Sequence, residues 1–137
     1  MNYLIGFVLA LFVGAFARFT GFDRDRAFYP TVLIVVASYY VLFAVMGGSS
    51  RALVVEGVVA TAFAAAAVKG FRGSEWLVVA GLAGHGVMDF FHAHIVDNPG
   101  VPEYWPGFCG AYDVAAAAVL AWIIKTAERG SRAARTD

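Results

Sequence analysis

His85, Asp89 and His92 follow the pattern His-x3-Asp-x2-His. On a helix that turns about 100° per residue they fall within roughly 60° of one another, so they form a single stripe. Two imidazoles and a carboxylate on one face are donor types that suit zinc or non-haem iron. The same residue types also build hydrogen-bonded proton relays. His94 points to the opposite side of that helix by the same arithmetic. Glu56 and Asp113 are the other carboxylates set in apolar sequence, and Tyr39, Tyr40 and Cys109 are lesser candidates. Metal bound to His85, Asp89, His92 and Asp113 would acidify a water molecule. The carboxylate left free, Asp113 or Glu56, would then act as general base.

The elements that must carry these groups are not those of a soluble domain. The 137 residues are 61% hydrophobic and only 15% charged, with a mean hydropathy of +0.71. Average globular usage is roughly 45–50% apolar and about 25% charged, so too little polar surface exists to coat this chain. Ten Lys and Arg balance ten Asp and Glu, which gives no basic excess for nucleic acid. One cysteine rules out an intrachain disulfide. The solvent for most of the chain is expected to be lipid.

Five apolar stretches cover residues 3–19, 29–46, 52–68, 76–96 and 111–124. A bilayer core of ~30 Å needs about 20 helical residues, so each stretch is expected to be a transmembrane helix, the fifth being short. The fold class is therefore an all-α, five-span bundle over residues 1–128, with a basic tail at 129–137. Basic residues test the count independently. Arg18, Arg24 and Arg26, then Lys69 and Arg72, then Lys125, Arg129, Arg132 and Arg135 fall on one side of five spans, and Arg51 alone falls on the other. The positive-inside rule then sets the amino terminus outside and the carboxy terminus in the cytoplasm of a cell (inner or plasma) membrane. Ala15-Phe16-Ala17 mimics a signal-peptide cleavage site, but Met1-Asn2-Tyr3 lacks the positive charge of such a leader, so a retained first span is expected.

That orientation collects Tyr39, Tyr40, Glu56, Asp89, His92 and Asp113 in the outer half of the bilayer, with His85 near the middle. Glu56 lies five residues from Arg51, within reach of an interfacial ion pair. Asp113 is expected in the first turn of the fifth helix, where the dipole favours a carboxylate. Cys109 reads as a small buried hydrophobe. The segment 97–110, with Pro99, Pro102, Pro106, Tyr104 and Trp105 and no Lys or Arg, is expected to be a stiff loop that anchors at the headgroups or covers the site. Runs of alanine and glycine in the third, fourth and fifth stretches are packing surfaces, since lipid provides no hydrophobic drive between helices.

With His85, Asp89 and His92 followed by Pro106, Phe108, Cys109, Tyr112 and Asp113, the last two spans resemble a group of small bacterial multi-span membrane proteins. Those proteins carry a His-x3-Asp-x2-His helix and a Pro-x-Phe-Cys-x2-Tyr-Asp segment, and the resemblance implies no particular activity. The chemistry is loosely similar to that of the ceramidase and adiponectin-receptor type of membrane zinc hydrolase, which hold zinc with three histidines beside an aspartate and a serine. This chain has fewer spans and no His-x3-His helix. Membrane di-iron hydroxylases and desaturases, which need many more histidines than the three present, are less similar.

The sequence points first to a metal-dependent membrane enzyme, with zinc favoured and iron as the alternative. It would act on a lipid or other apolar substrate, by hydrolysis. A metal-ion or proton transporter is the second reading, although the inner half of the spans offers few polar groups for a route. A metal-free assembly protein is the third, in which the cluster ties helices together. A homo-oligomer suits all three, because five thin helices leave little room for a sealed chamber.

Overall fold

In a computed structural model that describes residues 1–135, the chain forms five helices and no strands among those residues. They are α1 (Asn2–Thr20), α2 (Phe28–Met46), α3 (Ser50–Arg72), α4 (Glu75–Ile95) and α5 (Trp105–Ala133). Four of them, α1, α2, α3 and α5, are long and apolar enough to cross a membrane. The fifth expected span, α4, falls outside that set because His85, Asp89, His92 and His94 dilute its apolar residues. Its polarity is turned inward, however: His85, Asp89 and His92 are all buried.

Two helix ends show a plain local cause. Gly21 closes α1 in the left-handed region, with φ of 82°, and its N–H bonds the Ala17 carbonyl. Ser49 caps α3 by accepting a hydrogen bond from the Ala52 N–H at 3.2 Å. The fifth helix differs most from expectation. It starts at Trp105 rather than 111, because Pro106 sits in the first turn, where its missing N–H costs no hydrogen bond. It also continues past Lys125 to Ala133, through most of the segment expected to be a tail; residues 136–137 of that tail lie outside the described residues. Asp113 consequently sits in the interior of α5, not in its first turn, and cannot be a cap.

The pattern of burial is inverted relative to a protein in water. Glu56, His85, Asp89 and Asp113 are at most 1% exposed, whereas Phe12, Val54 and Val58 are 67–68% exposed. Water would favour the reverse arrangement. With helices of this length and apolarity, this is the surface of a membrane protein.

α5 packs along both α1 and α4, α2 along α3, and α3 along α4, while α2 also reaches α4 and α5. The loop after α1, the turn before α4 and the end of α5 gather at one end of the bundle. There Arg26 Nε lies 3.1 Å from Glu75 Oε2, Trp76 Nε1 lies 3.4 Å from Glu128 Oε1, and Lys125 Nζ sits 5.9 Å from the Trp76 ring centre. An apolar core of Leu33, Val78, Leu82 and Leu120 fills the bundle between α2, α4 and α5. Against the other end lies the 96–104 segment, whose Gly100 backbone is pressed onto the Phe43 carbonyl at the end of α2.

The α4–α5 contact is the one that matters for chemistry, and two glycines set it. A Cβ on Gly86 would lie 2.9 Å from the Gly110 carbonyl oxygen, and one on Gly110 would lie 3.0 Å from that of Gly86. Backbones touch here because neither residue has a side chain. Gly86→Val is expected to force α4 off α5 and cost about 1–3 kcal/mol, an overpacking penalty. Gly57→Ala, with nothing within 4 Å of the new methyl, should be close to neutral; thermal melts in detergent check the difference.

Candidate metal centre

The Gly86–Gly110 crossing places one turn of α4 against one turn of α5. His85 and Asp89 flank Gly86 on α4, and Cys109 and Asp113 flank Gly110 on α5. Residues four apart share a helix face, so each helix presents two polar groups to the other. One ligand atom from each of His85, Asp89, Cys109 and Asp113 lies within 4.8 Å of the rest, and all four residues are buried. This group could hold a metal ion.

Within it, His85 Nδ1 and Asp113 Oδ2 are hydrogen-bonded at 2.6 Å, and Asp89 Oδ2 is 3.6 Å from the same nitrogen. The Cys109 thiol donates a longer contact to Asp113 Oδ2 at 3.9 Å. Several polar atoms remain without a hydrogen bond among the described residues: His85 Nε2, both oxygens of Asp89, and Asp113 Oδ1. The Tyr40 hydroxyl and the Cys109 thiol are the neutral donors nearest to Asp89. Buried polar atoms are rarely left unpaired, and four in one group mark a place for water, protons or a cation.

His92 does not join this group. It lies seven residues beyond His85, about 10 Å along the helix, and meets α3 instead of α5. Its Nε2 is 2.7 Å from Glu56 Oε1. Asn98 Nδ2 donates to the same Glu56 oxygen at 3.0 Å and to the Tyr40 carbonyl at 3.0 Å, while its Oδ1 accepts from the Gly100 N–H at 3.2 Å. Glu56 therefore turns away from Arg51, which is exposed, and pairs across the bundle. The Tyr40 ring links the two clusters. It stacks on His92 with centroids 4.0 Å apart and stands 6.0 Å from His85, and Phe63 packs edge-on against His85 at 4.9 Å.

Of the expected site residues, His85, Asp89 and Asp113 come together, and Glu56 and His92 form a neighbouring pair. His94 is exposed, in a surface pocket of about 310 Å³ with Ser49, Arg51 and Asp97. Tyr39 is at the surface, where it packs against Trp105. Two further residues join these clusters, Cys109, a lesser candidate in the sequence, and Asn98, which was not singled out. Cys109 carried a usable signal, since it stands four residues before Asp113 and shares its face. Asn98 carried none: between Asp97 and Pro99 it looks like any turn residue.

No protein-family model, curated protein or solved structure matches the chain. The site must be read from its own geometry.

Glu56, His92 and Asn98 act as one hydrogen-bonded unit, so their substitutions should not add. A double-mutant cycle of Glu56→Ala and Asn98→Ala is expected to give a coupling of about 0.5–3 kcal/mol in reversible unfolding, the range for residues in one network. Additivity of the two losses would show that the bond contributes nothing.

Proposed function

We propose that the chain is a metal-dependent enzyme of the plasma membrane that hydrolyses a lipid or other apolar substrate. The observation that carries this reading is the convergence of buried His85, Asp89, Cys109 and Asp113, in which Asp89 has no cationic neighbour nearer than His85 Nδ1 at 3.6 Å. Two carboxylates beside one imidazole, with no Lys or Arg paired to them among the described residues, form a group short of positive charge. A divalent cation supplies it.

The donor set favours zinc, which accepts nitrogen, sulfur and oxygen ligands together in tetrahedral geometry. Catalytic zinc sites keep three protein ligands and leave a position for water. Asp113 is the member suited to orienting rather than ligating, because its Oδ2 already holds His85 Nδ1, the arrangement that fixes a metal-bound imidazole. His85, Asp89 and Cys109 would then be the ligands. In hydrolysis the oxygen of water bonds to the electrophilic carbon of the substrate, its proton passes to a carboxylate, and the leaving group departs with a proton. Glu56, held by His92 and Asn98, lies in the neighbouring cluster on the other side of the Tyr40 ring, so Asp113, whose Oδ1 is unpaired within the group, is the carboxylate that would take the proton.

In this reading all five helices cross the bilayer, with the amino terminus outside. The gathering of Arg26, Lys69, Arg72 and Lys125 towards one end of the bundle supports it, as does the inward-turned polarity of α4. The active group then lies toward the outer leaflet.

Metal analysis of detergent-purified protein tests the reading. Wild type is expected to carry about one equivalent of zinc or a similar ion, and Asp89→Asn under about a tenth of that, as expected when one of three protein ligands is lost. Asp97→Asn, at an exposed position on the same side, should leave the metal in place. A folded wild-type protein with less than a tenth of an equivalent, unable to take up added zinc, would contradict the proposal and leave the cluster as a tie between helices.

A further inference from the structure

A cleft of about 420 Å³ lies between α1, α2 and α5. Leu9 and Val13 line it from α1, Val32 and Val36 from α2, and Phe108 and Cys109 from α5. α1 and α2 are consecutive in the chain, yet each packs mainly elsewhere, α1 on α5 and α2 on α3. A slot is left where they would otherwise meet. All three helices around it are apolar enough to cross a membrane, so the slot opens onto hydrocarbon. Its apolar walls give water few partners, and bilayer chains are the only abundant solvent at that depth.

The cleft also reaches the polar group. Cys109 belongs to its lining, and the Cys109 thiol contacts Asp113 Oδ2 at 3.9 Å. The wall of the cleft thus includes a member of the four-residue group. An occupant of the cleft would therefore be separated from the buried carboxylates by one side chain.

We infer that the cleft admits one acyl chain of a bilayer lipid, sideways from the membrane, and that an acyl lipid is the substrate class of the site. The second half of this inference rests on the hydrolytic reading above; occupation of the cleft by a chain does not. Entry is lateral, between α1 and α2, and needs no aqueous opening. The chain lies against Val13, Val32 and Phe108, and the linkage to be cut approaches the group past Cys109.

Photolabelling separates the two halves. The protein is reconstituted in nanodiscs of phosphatidylcholine that carry a diazirine on one acyl chain, irradiated, and mapped by peptide mass spectrometry. Adducts are expected on cleft residues of α1, α2 and α5 at several-fold the density found at Val54 and Val58, which face outward from α3. The filled variant Val13→Phe/Val32→Phe should lose most of the cleft labelling and keep that on α3. If that variant fails to fold, Leu9→Trp alone fills the slot from its lipid-facing edge and is read in the same way. Equal labelling at both places, or cleft labelling indifferent to filling, would overturn the inference. Metal-stripped wild type should label like the untreated protein. A chain with no metal but a labelled cleft would sink the hydrolytic reading alone, while a metal-bearing protein with an unlabelled cleft would sink the lateral entry alone.

Discussion

Three carboxylates are buried in this bundle, and no Lys or Arg reaches any of them among the described residues. In a chain whose outer surface is hydrocarbon-facing, each such charge costs several kcal/mol unless it is paired, hydrated or neutralised. The two buried histidines can neutralise at most Glu56 and Asp113, which they already touch at 2.7 and 2.6 Å. Asp89 is the remainder. The nearest cationic group to it is His85 Nδ1, 3.6 Å away and already bonded to Asp113, and its other neighbours are the neutral Tyr40 hydroxyl and Cys109 thiol. A proton would satisfy it passively. A divalent cation held by His85, Asp89 and Cys109 would supply the missing positive charge and use the unpaired His85 nitrogen as well.

The rest of the architecture keeps this deficit in place. Gly86 and Gly110 let two backbones touch, which brings four polar side chains from two helices into one small volume. On the far side of Tyr40, the segment after α4 folds back so that Asn98 can hold Glu56 against His92. Gly100, pressed on the Phe43 carbonyl, fixes that segment to the end of α2. The two clusters are thus tied to different partners of α4: the metal group to α5, the Glu56 pair to α3. α4 alone falls short of the continuous apolar stretch of a candidate span, because it carries residues of both clusters.

The helices were legible from apolar stretches and punctuation, since hydrocarbon tolerates few alternatives to a helix. Where the reading of length failed, at α5, the cause was Trp105–Gly110: aromatic, proline and glycine residues look like a loop, yet Pro106 is harmless in a first turn. The stripe of His85, Asp89 and His92 was legible as an angle, but in the structure His85 meets Asp113 while His92 meets Glu56. Angular coincidence ignores rise, and two turns separate His92 from His85 by about 10 Å, too far for one ion. Axial distance and the choice of neighbouring helix decide which residues meet. Cys109 shows the converse: a lesser candidate in the sequence, more readily taken as a small hydrophobe, joins the group because α5 starts early enough to put it on the Asp113 face. The partnership of Asn98 with Glu56, 42 residues apart in sequence, is a tertiary fact that no local pattern encodes.

X-ray absorption at the metal edge of zinc-loaded protein tests the central claim most directly. The account predicts a sulfur scatterer at about 2.3 Å with nitrogen and oxygen at about 2.0–2.2 Å, the distances of a mixed zinc shell, and loss of the sulfur shell in Cys109→Ala. A folded protein whose zinc shows only oxygen and nitrogen neighbours, unchanged by substitution at Cys109 or Asp89, would contradict it.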